Sequence, residues 1–145
     1  MAITVYLSPL ETDQVTALDP LTITLDGNVG GAIDKKLYIR NDDLERWYDG
    51  IVVTAVDSNS PSIVNGSRWN WKFIEKDIAP VNEEWFNTVA GNSLTLSAGL
   101  GSNTAGDIGT YLPFWLRVTV PEDQRSNNIT SVVIRISATE HLVTG

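Results

Sequence analysis

The stretch Phe114-Trp115-Leu116-Arg117-Val118-Thr119-Val120 places Phe, Leu, Val and Val on one side and Trp, Arg and Thr on the other. A period of two is that of a strand with one face on a core and one in water. The same alternation returns in Val132-Val133-Ile134-Arg135-Ile136-Ser137-Ala138, which sends Val132, Ile134, Ile136 and Ala138 inward. Shorter versions are Leu21-Thr22-Ile23-Thr24-Leu25 and Ser93-Leu94-Thr95-Leu96-Ser97. Ile51 to Val56 is β-branched and apolar on both sides, as a deeply buried strand would be, and Lys36–Arg40 and Asn70–Glu75 complete the set. These are half-buried antiparallel strands.

Between the strands stand residues that tolerate positive φ or close turns on their own backbone: Asp26-Gly27-Asn28, Asn41-Asp42-Asp43, Asp49-Gly50, Asn65-Gly66-Ser67 and Ser126-Asn127-Asn128. Seven to eight short strands broken by such turns predict an all-β chain, a single antiparallel β-sandwich. Helix is limited to one short turn, around Asp42 to Tyr48 or Asn82 to Asn87. Two segments break the rhythm. Residues 1–20 hold one strand (Ile3 to Leu7) and then a polar stretch bounded by Pro9 and Pro20. They are either the first strand of the sandwich or an arm that reaches a neighbouring subunit, with the sandwich proper at 21–145. Residues 99–110 form a Gly-rich loop with little side chain to pack, expected to be mobile or ordered by a partner.

Composition narrows the function. At 145 residues the chain suits one domain with a real core. Only 19% of residues are charged, and eighteen acidic against ten basic residues give a net charge of -8. No basic stripe exists to displace counterions, which argues against nucleic acid and against anionic membranes. No apolar run has the length of a transmembrane helix. The start, Met1-Ala2-Ile3-Thr4, lacks the basic and apolar regions of a signal peptide, which predicts a protein used without export or released by lysis. The absence of cysteine excludes disulfides, thiol catalysis and Cys-based zinc sites.

Candidate chemistry is sparse. The one histidine, His141, reads as a surface residue beyond the last clear strand, where a nucleophile–base pair would have no rigid setting. Asp42-Asp43 and Glu83-Glu84 are adjacent carboxylates, which do not make the cleft-spanning pair of a glycosidase. Asp26-Gly27-Asn28 and Asp57-Ser58-Asn59-Ser60 offer oxygens that calcium accepts, but neither has EF-hand spacing, and turn chemistry explains both. The loop at 99–110 lacks the Lys-Ser/Thr ending of a phosphate loop. The reading is of a non-enzymatic chain with no catalytic residue, no metal and no cofactor.

The five tryptophans, Trp47, Trp69, Trp71, Trp85 and Trp115, are the richest feature. Trp69, Trp71 and Phe73 share one strand face. That ridge is core, a protein-contact hot spot, or a platform for stacking sugars.

Thr110-Tyr111-Leu112-Pro113-Phe114-Trp115-Leu116-Arg117-Val118-Thr119-Val120-Pro121, followed by Val132 to Ala138, resembles the closing hairpin of Ig-like proteins of tailed phages. Lys36-Leu37-Tyr38-Ile39-Arg40-Asn41-Asp42 resembles the strand and Asx turn of the same sort of virion protein. Together these stretches cover about a quarter of the chain. The resemblance implies an Ig-like sandwich and a structural role in the virion, assembled in the host cytoplasm. The preferred form is a capsid decoration (cement) protein, and the alternative is a tail, collar or baseplate component. Its partners would be other virion proteins, the major capsid protein or tail proteins, and copies of itself. Candidate contact residues are Tyr6 and Leu10 near the N-terminus, Leu100 in the Gly-rich loop, and the aromatics Trp47, Trp69, Trp71 and Trp115. A carbohydrate-binding module built on Trp69, Trp71 and Phe73 is the rival from another class.

Overall fold

The computed structural model describes residues 3–6, 31–57, 70–120 and 132–145. They form seven strands and one helical turn: β1 (Ile3–Tyr6), β2 (Gly31–Asn41), β3 (Arg46–Asp57), β4 (Asn70–Ile74), α1 (Asn82–Phe86), β5 (Leu94–Thr95), β6 (Tyr111–Val120) and β7 (Val132–Leu142). All pairings are antiparallel, in a sheet of order β1-β2-β6-β4 and a sheet of order β5-β3-β7. The fold is the expected all-β sandwich. Its four-stranded sheet has the A-B-E-D order of an Ig constant-type domain, and β3 and β7 pair as C and F do. The third strand of the smaller sheet departs from that plan, since β5 lies beside β3.

One apolar cluster fills the space between the sheets. Leu37 and Ile39 of β2, Phe73 of β4, and Phe114, Leu116 and Val118 of β6 meet Tyr48, Ile51 and Val53 of β3. Ile134, Ile136 and Ala138 of β7 pack against them from one side, and their neighbours Val133, Arg135 and Ser137 are exposed. The period-two readings of β6 and of residues 133–138 therefore hold. Of Val132, only its place in the strand is described. Trp71 and Phe73 also face inward: Phe73 is core and Trp71 packs against it. Trp69 and the predicted strand at 21–25 lie outside the described residues, as do both calcium-like loops except Asp57, the last residue of β3.

Four expectations need correction. First, residues 114–120 and 132–138 do not form a hairpin. β6 pairs with β2 and β4 while β7 pairs with β3, so the chain changes sheets between them. Second, Asp49-Gly50 does not end a strand. The register of β3 against β7 shifts between Asp49 and Val52, and Gly50 sits at φ +57. This is a bulge, which supplies the left-handed residue and moves the inward face from Tyr48 to Ile51 and Val53. Third, of the two places expected for a single helical turn, only the second forms it, as α1, while residues 42–45 are a turn leading into β3 and Arg46 to Tyr48 already belong to that strand. The Asx chemistry expected there does operate. Asn41 Oδ1 accepts the Asp43 N–H at 2.9 Å, and Asp43 Oδ1 accepts the Glu45 N–H at 2.9 Å.

Fourth, the Gly-rich loop is pinned by the fold itself. Leu100 is 0% exposed, and its N–H and C=O exchange hydrogen bonds with Tyr48 at 2.8 and 3.0 Å. Asn41 Nδ2 donates to Gly106 O (2.9 Å) and Arg46 O (2.7 Å), tying the loop to the β2–β3 corner. A lone Leu among glycines was expected at a contact surface. Its burial contributes on the order of 1.5–3 kcal/mol to the core instead.

At the other end of the chain, Ile3–Tyr6 pairs along β2 as an edge strand of the larger sheet. For these residues the first-strand alternative is realised. Leu10 lies outside the described residues, and of Tyr6 only the backbone pairing with Tyr38 is described.

Candidate interaction surface

β4 stops at Ile74, opposite Trp115, and the chain then leaves the sheet until β5 begins at Leu94. Glu75-Lys76-Asp77-Ile78-Ala79-Pro80 cannot continue as a paired strand past its proline, which has no N–H to give a ladder. α1 follows as a single turn. Glu84 Oε1 accepts the Val81 N–H at 3.0 Å and so satisfies one of the donors that a helix start leaves open. Lys76 Nζ reaches the same oxygen at 2.6 Å. The ammonium first, and then the Val81 N–H, hold the Glu84 carboxyl below the usual carboxylate range.

This excursion lies on the outward side chains of β2, β4 and β6. Trp85 is 1% exposed, with the Arg117 guanidinium 4.9 Å from its ring centroid. Arg117 forks onto Asp34, Nε to Oδ1 at 2.7 Å and Nη2 to Oδ2 at 2.9 Å, and Nη2 also reaches Asn82 Oδ1 at 3.3 Å. Lys72 Nζ donates at 3.0 Å to Trp85 O, which also accepts the Thr88 N–H at 3.1 Å where the turn ends. Lys36 Nζ donates to Asp77 Oδ1 at 2.7 Å, which raises the Lys36 pKa, and Trp115 Nε1 donates to Asp77 O at 3.4 Å. The return is fixed by Gly91 N–H to Trp71 O (2.7 Å) and by Asn92, whose amide bonds the Phe73 N–H and C=O at 2.9 Å each. Glu75 then accepts from the N–H and Oγ of Ser97, joining the excursion to the chain beyond β5.

What this frame holds outward is apolar. Ile78 is 74% exposed, Val81 59%, Phe86 84% and Val89 73%. Half of the eight large exposed hydrophobics among the described residues thus fall within one twelve-residue span. Single exposed apolar side chains are ordinary, but four of them within twelve residues on a backbone held by this frame make the segment the candidate contact surface. Beside it, where β4 has ended, a cavity of ≈ 280 Å³ opens, with Ala98, Leu112 and Pro113 among its lining residues and Lys76 and Asp77 beside them.

Among the described residues, the contact residues expected from the sequence do not gather here. Trp115 touches the excursion through Asp77, and Trp71 touches it through its backbone oxygen, which accepts the Gly91 N–H. Leu100 and Phe73 are core, and Trp71, partly buried, packs against that core on the same strand face as Phe73. Trp47 is half-buried on the smaller sheet, stacked on His141 with centroids 4.1 Å apart and planes 17° from parallel. His141 is not in a fraying tail. It pairs with Trp47 inside β7, and its Nε2 lies 2.8 Å from Asp49 Oδ1. Ile78, Val81, Phe86 and Val89 were missed, although four large apolar residues in a non-alternating, proline-containing polar segment were a usable signal. Among the described residues no group of three or more His, Cys, Asp and Glu gathers as a metal site would require, and no helix is long and apolar enough to cross a membrane. No family model matches the chain, and neither a curated protein nor a solved structure matches it.

Proposed function

We propose that this chain is a non-enzymatic structural module that docks onto a larger assembly through the Ile78/Val81/Phe86/Val89 ridge. The assembly inferred is the virion of a tailed phage, with capsid decoration preferred over a tail, collar or baseplate place. One observation carries the docking role: large apolar side chains stand in water on a backbone that four cationic side chains and a buried tryptophan hold in place. A surface ordered before binding loses little entropy on binding, so its apolar area converts efficiently into affinity. Phe86, the one aromatic and the most exposed of the four side chains, fits the aromatic anchor around which contact energy concentrates. The virion assignment is supported by the resemblance of residues 36–42, 110–121 and 132–138, without the hairpin geometry that two of these stretches suggested. Many weak docking sites repeated over a symmetric lattice suffice for such a part.

The test is occupancy. Particles assembled with the wild-type chain and with Phe86→Asp are compared by electron cryo-microscopy. Density for the wild-type chain with the ridge against a neighbour, and its loss in the variant, is the expected result. Wild-type density that stays at full occupancy in the variant refutes the ridge as the anchor, and absence of the wild-type chain from the particle refutes the virion role.

A further inference from the structure

We propose, building on that reading, that the ridge is received by a cationic protein surface with an apolar centre, and not by a second copy of this chain. The span 75–93 contains Glu75, Asp77, Glu83 and Glu84 against a single cation, Lys76. The cations beneath it are each engaged by a partner within the frame. Lys36 is on Asp77, Lys72 on the Trp85 carbonyl, and Arg117 on Asp34. Lys76 itself is held by Glu84. Glu83, by contrast, is exposed and lies in the sequence between Val81 and Phe86. A partner approaching this segment therefore meets exposed apolar side chains and an exposed carboxylate from the same short stretch of chain.

A second copy brings the same acidic segment and the same net charge of -8, so ridge against ridge sets like charges face to face. Opposite charge removes that repulsion and speeds encounter. The occupant chemistry that satisfies both parts of the surface is a pocket or groove for Phe86 rimmed by Lys or Arg.

Two designed helical peptides with identical Leu faces, one with Lys and one with Glu on the polar face, provide the probe. Binding to the whole chain is followed by amide NMR shifts and calorimetry at low and high salt. The Lys peptide is expected to shift the amides of residues 78–89 and to weaken with salt. Its affinity should fall roughly tenfold or more in Phe86→Ala, as loss of one buried aromatic predicts. Glu83→Lys should weaken the Lys peptide and strengthen the Glu peptide. Equal binding of both peptides at the ridge, or indifference to Glu83→Lys, overturns the charge inference. Shifts that fall elsewhere, or no binding, also overturn it. Phe86-dependent dimerisation of the free chain in sedimentation equilibrium assigns the ridge to a second copy, which overturns the inference and leaves docking intact. Failure of docking itself is read separately, from the occupancy of Phe86→Asp in particles.

Discussion

Arg117→Lys is the substitution that most directly probes how the contact surface is held. Lysine keeps the positive charge and can keep one bond to Asp34. It loses the second arm of the fork, the Asn82 contact and the guanidinium placed over the Trp85 ring. A hydrogen bond to a charged group contributes about 1.5–3 kcal/mol, and a cation over an aromatic ring about 0.5–2 kcal/mol. The Arg117 and Asp34 side chains are 19% and 28% exposed, so solvent screens part of this and the low ends apply. The sum is about 2 kcal/mol. With a urea slope of about 2 kcal/mol/M, the midpoint of unfolding by far-ultraviolet circular dichroism falls by about 1 M. Hydrogen exchange should also quicken more at the Trp85, Asn87 and Thr88 amides, which close the α1 turn, than at Tyr48 and Leu100 in the core. A loss below about 0.5 kcal/mol with unchanged exchange at α1 would refute the reasoning. Trp85 packing alone would then hold the excursion.

Two further outcomes follow from the same geometry. In Gly106→Ala a new Cβ meets backbone oxygens of Asp43 at 2.5 Å and Arg46 at 2.8 Å, so the loop must move off Asn41. Stability should drop by about 2–4 kcal/mol in urea unfolding, and a drop under 1 kcal/mol would show that the corner adjusts freely. The Glu84 carboxyl is depressed by Lys76 and then by the Val81 N–H, so its contribution is present at neutral pH and lost as pH falls through its lowered folded-state value. Glu84→Gln should therefore lower stability at neutral pH and flatten its acid dependence, and an acid limb identical to wild type would show that the Lys76 contact carries none of it.

How much of this was legible depended on what each residue answers to. The faces of β6 and β7 follow from alternation, because burial of one face is a local demand on every second residue. Which sheet each strand joins is not local: Phe114, Leu116 and Val118 look the same whether the next strand is a hairpin partner or crosses to the other sheet. Asp49-Gly50 has the chemistry of both a turn and a bulge, and the choice is made by β7, which runs on past the bulge to pair with Trp47 and Arg46. Leu100 was misplaced for the same reason, since its pairing partner Tyr48 is far away in sequence. His141 lay past the visible alternation because Thr139, Glu140 and His141 carry no apolar period, yet they pair in register with Asp49, Tyr48 and Trp47.

The contact surface was hidden by a subtler ambiguity in the period-two rule. Asp34 and Lys36 on β2, Lys72 on β4, and Trp115 and Arg117 on β6 all occupy the face that alternation assigns to water. In the folded chain that polar face is the floor of another layer, and its charges are spent on the excursion above it. The tryptophans mislead in the same way. Trp71 and Trp85 are large enough to be worth burying, so their presence marks packing more than contact, whereas Ile78, Val81, Phe86 and Val89 each leave more than half of their surface in water. This separates two kinds of residue that sit within a few ångströms of one another. Substitutions in the ridge should change docking and leave unfolding almost unaltered, because their side chains already stand in water. Substitutions in the frame should change both, because the ridge is only as well placed as Arg117, Lys72 and Glu84 hold it. A ridge variant that lost stability as a frame variant does would mean that these side chains are not the free surface that their exposure describes.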